Sequence, residues 1–277
     1  MVLFRCPVCR SPLRDCGNSV VCPNRHSFDR AAEGYYHLLP SNKMHAKLPG
    51  DSKEMVAARR DFLNAGYYRL FSDGINRAAA KVLSDVKAPV ILDAGCGEGY
   101  YTARLKQALS EQHNDARIAG FDISKAAVRA AAKRDKEISF AVASIFDIPV
   151  ADGCCDLVLN VFAPIVPAEF ARVLPADGVL LIAVPSERHL FGLKEILYES
   201  PYENERTDTE YEGFDFLERI PLRGRITMTD PVQITNLFSM TPYYWKTPQA
   251  GCERLRQATR LETEIGFDLL LYRRHQA

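Results

Sequence analysis

From Pro89 onward, short apolar runs alternate with stretches in which apolar residues recur every three or four positions. The runs at 89–94, 117–122, 138–144, 156–162 and 178–184 read as buried parallel strands. The intervening stretches at 100–111, 125–134, 167–174, 190–200 and 230–238 read as amphipathic helices. Two further runs, 216–228 and 263–273, read as strands, the last of them antiparallel at or near an edge. This alternation predicts an α/β fold with a seven-stranded, mostly parallel sheet. Ahead of it, Asp51 with Glu54 resembles a capping box, and Met55, Phe62 and Leu63 form an apolar helical face to about Ala65. Gly66 interrupts, and a second helix carries Leu70, Ile75, Ala79, Val82 and Leu83 on one side. The first forty residues show neither period, and residues 40–51 read as a linker. The division is therefore a lobe at 1–40, a linker with two helices at 41–88, and a large domain at 89–277.

With 47% apolar and 25% charged residues over 277 positions, the chain has the composition of an ordinary soluble globular protein. No apolar run approaches the ~20 residues of a membrane span. The start lacks the apolar stretch of a signal peptide, so a cytoplasmic location and no membrane are expected. The formal net charge is zero, from 35 basic and 35 acidic residues, but the charges are unevenly placed. Arg5, Arg10, Arg14, Arg25 and Arg30 crowd the first lobe, followed by Lys43, Lys47, Lys53, Arg59 and Arg60. Glu195 to Glu218 holds nine acids against one Arg. A basic lobe of this kind suits RNA docking, with Arg10, Arg14 and Arg25 as contacts, and it would equally serve as a docking surface for protein.

Eight cysteines without a signal peptide point to a reducing compartment, where clustered thiols mean metal or catalysis. Cys6-Pro-Val-Cys9 and Cys22-Pro-Asn-Arg-His26, twelve residues apart, have the spacing of two knuckles that bring three sulfurs and one imidazole around Zn²⁺. Gly17-Asn18 can reverse the chain between them. So small a lobe cannot bury enough core to fold alone, and one structural zinc would supply the missing stability. Cys16, Cys154, Cys155 and Cys252 have no partner spacing.

The first strand of the large domain runs into Asp93-Ala-Gly95-Cys-Gly97-Glu98-Gly99-Tyr100. Three glycines at alternate positions let the backbone turn tightly and approach a ligand closely, and the loop opens a helix whose N–H groups favour an anionic group. Asp122 closes the next strand, 29 residues after Asp93, where an acid can take both hydroxyls of a ribose. The sixth position is Tyr100, not the Gly or Ala of the dinucleotide fingerprint, and no phosphate-loop motif is present. Asp-x-Gly-x-Gly-x-Gly followed by an acid at the end of the next strand resembles the class I S-adenosylmethionine-dependent methyltransferases, with their Rossmann-like fold. That resemblance turns the glycine loop toward the methionine moiety of S-adenosylmethionine, gives Asp122 the ribose and Ser144 a place beside the adenine.

The fourth strand ends Asn160-Val-Phe162-Ala-Pro164, with neither the Pro-Pro-Tyr motif of exocyclic-amine methylation nor the Pro-Cys nucleophile of pyrimidine C5 methylation. The zinc knuckles, Phe28-Asp29, Glu33-Gly34-Tyr35, Gly50-Asp51-Ser52, Ala58-Arg59-Arg60, Cys96 to Thr102, Arg188-His189-Leu190 and Met240-Thr241-Pro242 together resemble one group nearly end to end. It is the 23S ribosomal RNA guanine-N1 methyltransferase family (RlmA-type), homodimers with a zinc-ribbon-like domain ahead of a class I fold, acting on a guanine in a hairpin loop. A sister branch, linked to macrolide resistance, modifies a neighbouring guanine, and a small-molecule methyltransferase is the alternative that the fold alone permits. The resemblance implies zinc at Cys6, Cys9, Cys22 and His26. It implies cofactor contacts at Tyr68, Gly97, Glu98 and His189 beside Asp93, Gly95 and Asp122. The base that takes the guanine N1 proton is not identified by sequence; His189 and Asn160 are the candidates. Phe162, Tyr243, Tyr244 and Trp245 are candidates for stacking on a splayed base, against the plainer role of core packing.

Overall fold

The computed structural model describes residues 3–40, 50–111 and 115–275; most of the expected linker, with Lys43 and Lys47, lies outside the described residues. The first lobe holds a small antiparallel sheet of β1 (Arg14–Asp15), β2 (Ser19–Val21) and β3 (Ser27–Asp29). Then come β4 (Tyr36–His37) and helices α1 (Lys53–Asn64) and α2 (Arg69–Val82). The N-cap of α1 is Ser52, whose hydroxyl accepts from the Met55 N–H at 3.3 Å. Asp51, expected in that role, instead pairs with Arg59 one face further along the helix.

The large domain continues with β5 (Val90–Ala94), α3 (Tyr100–Glu111), β6 (Arg117–Asp122), α4 (Lys125–Arg134), β7 (Ser139–Val142), β8 (Leu157–Val161), α5 (Pro167–Val173), β9 (Val179–Pro185) and α6 (Phe191–Leu197). It closes with β10 (Phe214–Met228), α7 (Pro231–Ser239), a short 3-10 helix (Pro242–Trp245), α8 (Gln249–Gln257) and β11 (Leu261–Arg274). The main sheet has eight strands in the order β10-β11-β9-β8-β5-β6-β7-β4, not the seven expected. The extra one is β4, a two-residue strand from the N-terminal segment that joins β7 in parallel and is too short to show a period in sequence. The last strand, β11, lies one place in from the edge and is antiparallel to both neighbours. Chain order reverses at β5, which has β6 on one side and β8 on the other, so a crevice opens at the carboxyl ends of those strands.

Alternate residues of each strand enter two buried clusters on opposite faces of the sheet. Ile91, Leu159 and Leu181 pack with Phe62, Phe71, Leu105 and Leu193 from the helices of one face. Leu92, Val158 and Ile182 pack with Phe170 of α5 and with Cys6, Val20 and Cys22 of the first lobe. The lobe therefore takes part in covering that face. Backbone bonds reinforce the join, Arg5 N–H to Pro149 C=O at 2.7 Å and Leu38 N–H to Val142 C=O at 2.9 Å. No helix among the described residues is long and apolar enough to cross a membrane.

Candidate active site and metal centre

In the first lobe, Cys6, Cys9, Cys22 and His26 bring their ligand atoms within 4.8 Å of one another. Cys6 Sγ and Cys22 Sγ stand 3.5 and 3.4 Å from His26 Nδ1, and Cys9 Sγ is 3.6 Å from Cys22 Sγ. A tetrahedron with Zn–S of ~2.3 Å and Zn–N of ~2.0 Å has edges of about 3.5 to 3.8 Å, so the donor set fits one structural zinc bound through Nδ1. Each knuckle is closed by backbone bonds, Cys6 N–H to Ser11 C=O at 2.9 Å and Cys22 N–H to His26 C=O at 3.0 Å. Arg10 and Arg25, at φ of 61° and 63°, make the left-handed turns inside them. Their side chains differ in use. Arg10 pairs with Asp147 and donates to the Ile148 carbonyl at 3.3 Å, clamping the lobe to the large domain, so the charge of this exposed residue is already paired. Arg14 and Arg25 make no salt bridge among the described residues.

At the crevice, all three glycines of the loop have positive φ, at 92°, 54° and 81°. A Cβ on Gly95 would lie 2.4 Å from that of Ala163, and one on Gly99 would lie 2.9 Å from that of Ala131. Those two glycines serve close packing. Gly97 faces open space, with only Arg59 within 4.0 Å of its absent Cβ, and its N–H bonds Asp122 Oδ2 at 3.0 Å. Asp122 Oδ1 accepts from the Ser124 N–H at 2.8 Å, so two backbone donors orient this carboxylate while lone pairs stay available on each oxygen. Desolvation raises the Asp122 pKa against these two bonds. Ser144 lies beside it, since Ala143 N–H bonds the Asp122 carbonyl at 3.1 Å; its hydroxyl accepts from Phe146 N–H at 3.2 Å.

Asp93 is 1% exposed, and Thr102 donates to its Oδ2 at 2.5 Å. Burial, with the nearby Asp122 charge, lifts its pKa to about 7 despite the threonine bond. Its Oδ1 has no partner. The same is true of Glu98 Oε1, Tyr101 Oη and Asn160 Oδ1, all buried around the same loop and strand ends. Asn160 donates to the Ala94 carbonyl at 3.3 Å and the Pro164 carbonyl at 3.1 Å, which fixes its amide and leaves Oδ1 as an oriented, unused acceptor. Buried acceptors without donors cost about 1–3 kcal/mol each, a cost that a cationic or N–H-bearing ligand would remove.

The structure brings Tyr68 and His189 together from 121 residues apart: the tyrosine hydroxyl is 3.3 Å from Nε2. His189 Nδ1 accepts from the Gly266 N–H at 3.3 Å, which puts the ring proton on Nε2, donated to Tyr68. Burial, aided by the Lys194 charge, drives the His189 pKa down to about 3, so the ring is neutral. With both nitrogens engaged, His189 has no lone pair for the guanine proton. Phe162 stands beside it, 47% exposed, at φ 54°, its ring 6.5 Å from His189 and 5.6 Å from Phe267. Left-handed backbone at a bulky residue is strained, and such strain collects at functional turns. Leu190, at φ 57°, shares it at the end of the β9 turn. Tyr244 and Trp245 are exposed on the 3-10 helix, whereas Tyr243 packs edge-on to Tyr198.

Several residues of the site had no sequence signal of their own. Arg59, which sequence places in a basic tract and in a segment of the family resemblance but gives no role, pairs with Asp51, donates to the Met240 carbonyl at 3.2 Å and faces Gly97. Lys194 is buried and donates to the Tyr202 carbonyl at 2.8 Å and Asn204 Oδ1 at 2.7 Å. Asn204 in turn bonds the Ser186 and Glu187 carbonyls, tying the acidic segment under the turn that carries His189.

Residues 4–47 match the family model described as the zinc ribbon "RlmA, N-terminal", and residues 85–219 match a methyltransferase-domain model. The chain is 37% identical to a 23S rRNA (guanine(748)-N(1))-methyltransferase of Streptomyces fradiae, over 70% of this chain and 67% of that one. Two relatives bear the name 23S rRNA (guanine-N(1)-)-methyltransferase provisionally. One, from Micromonospora griseorubida, is 34% identical over 89% of this chain and 88% of its own. The other, YxjB of Bacillus subtilis, is 30% identical over 97% and 96%. With the zinc ribbon, the glycine loop and this end-to-end likeness in one chain, the protein belongs to the 23S rRNA (guanine-N1)-methyltransferase family.

Proposed function

We propose that the protein transfers a methyl group from S-adenosylmethionine to N1 of a guanine in a hairpin loop of 23S rRNA, in the cytoplasm and as a homodimer. What carries this chemistry is the end of β8: a buried, oriented and unsatisfied amide oxygen on Asn160, two residues before the half-exposed Phe162. A splayed guanine stacks on the ring and gives the amide oxygen an N–H donor.

S-adenosylmethionine supplies the methyl group, activated on a sulfonium sulfur. The chain's contribution is binding and orientation. Asp122 offers its remaining lone pairs to the ribose hydroxyls, and Ser144 lies on the adenine side. Gly97 leaves the room, with Gly95 holding the loop against Ala163. Asp93 Oδ1 and Glu98 Oε1 suit the methionine ammonium, and Arg59, across from Gly97, suits its carboxylate. Tyr68 receives its hydrogen bond from neutral His189 and keeps its own O–H free to donate, so His189 acts as a positioning residue. Asn160 stays the candidate that touches the base. As an amide it orients the base by accepting from the exocyclic N2–H, and it is too weakly basic to hold the N1 proton, which passes to water.

The lobe at 1–40 docks RNA and the domain at 89–277 carries the reaction, with Arg59 and Tyr68 of the segment at 41–88 joining its cofactor pocket. The test is transfer of labelled methyl to protein-free 23S rRNA, followed by nuclease digestion and mass spectrometry, with 1-methylguanosine expected. Label found only on small molecules would sink the proposal. A monomeric mass by light scattering would remove the homodimer.

A further inference from the structure

Outside the site already described, α1 and α4 lie side by side with a groove of about 490 Å³ between them. Lys53 and Arg60 line it from α1, and Arg129, Lys133 and Arg134 from α4, over a floor that includes Ala57 and Ala130. Positions 53, 57 and 60 share one helical face, as do 126, 129, 130 and 133, so two basic rows face each other across small side chains. The one carboxylate lining the groove is Glu98, buried and already bound by Arg134. Arg129 takes Glu33 of the zinc lobe, and Arg60 takes its neighbour Asp61. Lys53 and Lys133 make no salt bridge among the described residues and are exposed. Two cations without a salt bridge, Lys53 near the Glu54 charge and Lys133 near that of Glu33, and three salt-bridged ones leave positive charge in excess on a concave surface, which favours an anion. Lys53 and Arg60 stand about 10 Å apart along α1, further than one phosphate reaches, so the fitting partner is a chain of phosphates.

We infer that the α1–α4 groove is a contact surface for the RNA backbone, separate from the pocket that receives the reacting base. It rests on the RNA methyltransferase reading, and it adds a surface that the basic zinc lobe alone does not provide. Glu98 belongs both to the groove wall and to the glycine loop, so backbone held in the groove runs alongside the cofactor pocket.

The test compares wild type with Lys53→Gln/Lys133→Gln, using in vitro transcribed, protein-free 23S rRNA as substrate. Each lost phosphate contact removes about 0.7–0.9 from the slope of log affinity against log salt. At about 0.15 M salt that is roughly 4- to 5-fold per contact, so the double variant should raise KM for RNA about 20-fold. The salt slope should fall by about 1.4–1.8. The kcat and the Kd for S-adenosylmethionine should not move. Lys87→Gln/Arg256→Gln, which removes two exposed charges elsewhere, controls for loss of net charge. An active wild type with a double variant matching that control overturns the groove and leaves the proposed function standing. Weakened binding with an unchanged salt slope also overturns it, because the groove would then meet something other than phosphates. A wild type that neither binds nor methylates RNA overturns the proposed function and the groove with it.

Discussion

On the proposed pairing of Asp93 with the methionine ammonium, the raised pKa of this carboxyl, about 7 in the free protein, should make cofactor binding depend on pH. A carboxylate that pairs with the methionine ammonium must be ionised when the ligand is bound. In the free protein burial keeps it protonated below about pH 7. Binding below that pH therefore costs deprotonation, about 1.4 kcal/mol or tenfold in Kd for each unit. The Kd for S-adenosylmethionine should be roughly tenfold weaker at pH 6 than its plateau above pH 8, and about 100-fold weaker at pH 5. Calorimetry in buffers of different ionisation heat should find close to one proton released per ligand at pH 6 and almost none at pH 8.5. Asp93→Asn should bind more weakly at high pH and lose the dependence. The same carboxyl affects stability with the opposite sign of slope. Its contribution is fully present below about pH 4, the unfolded value, and fades as pH rises through about 7, by up to about 4 kcal/mol. The ligand-free protein should therefore lose part of its Tm across that window, and less of it in Asp93→Asn. A Kd flat from pH 5 to 8.5 would refute the reasoning. A dependence surviving unchanged in Asp93→Asn would move it to Asp122 or Glu98, whose pKa values burial also raises.

Three other outcomes follow from named contacts. Chelation, or Cys22→Ser, should remove one zinc per chain and lower Tm, because Cys6 and Cys22 belong to the buried cluster under the main sheet; cobalt substitution should give the absorption of a three-sulfur, one-nitrogen site, and its absence would exclude that donor set. Tyr68→Phe should leave the buried Nε2–H of His189 without an acceptor, costing about 1–3 kcal/mol, or several degrees in Tm, and weakening S-adenosylmethionine; an unchanged Tm would show that this bond contributes nothing. Phe162→Ala should lower kcat/KM for RNA about 5- to 150-fold with cofactor Kd intact, and Phe162→Trp should restore most of it, since a stacked base is worth about 1–3 kcal/mol; equal loss in both variants would exclude stacking.

The parts of the fold that follow a period were legible in sequence. The helix at 100–111 and the strand at 117–122 are found at those bounds because each carries apolar residues through its whole length. The β4 strand was not, since two residues cannot establish alternation and its partner β7 lies about a hundred positions away. The helix α8 was missed because only Gly251 and Leu255 are buried along it. At the site, spacing exposed the zinc ligands, and the glycine loop exposed Asp93 and Asp122. What spacing cannot carry is the use of a side chain in three dimensions. Arg10 and Arg14 look alike in sequence, yet one clamps the lobe to Asp147 and the other lies on the exposed first strand.

The same distinction explains why a net charge of zero excludes nothing about the partner. Charge acts over about 8–10 Å at physiological salt, so only what is left unpaired at each patch reaches a polyanion. Three of the nine acids in the acidic stretch meet cations of this same chain at its surface. Glu203 holds Arg188 at 3.0 Å, Glu218 holds Lys81 at 3.3 Å, and Asp215 meets His275 at 2.8 Å. These pairs brace the turn before His189 and the outer strand β10, where neutralised cations are no loss to RNA binding. On the α1–α4 side five cations line the groove against one carboxylate, and those without a salt bridge among the described residues are Lys53 and Lys133. Positive potential is thus left beside the glycine loop through the choice of which cations are paired, not through the sum of charges. Substitutions that alter that pairing should change RNA affinity more than substitutions that alter net charge by the same amount elsewhere.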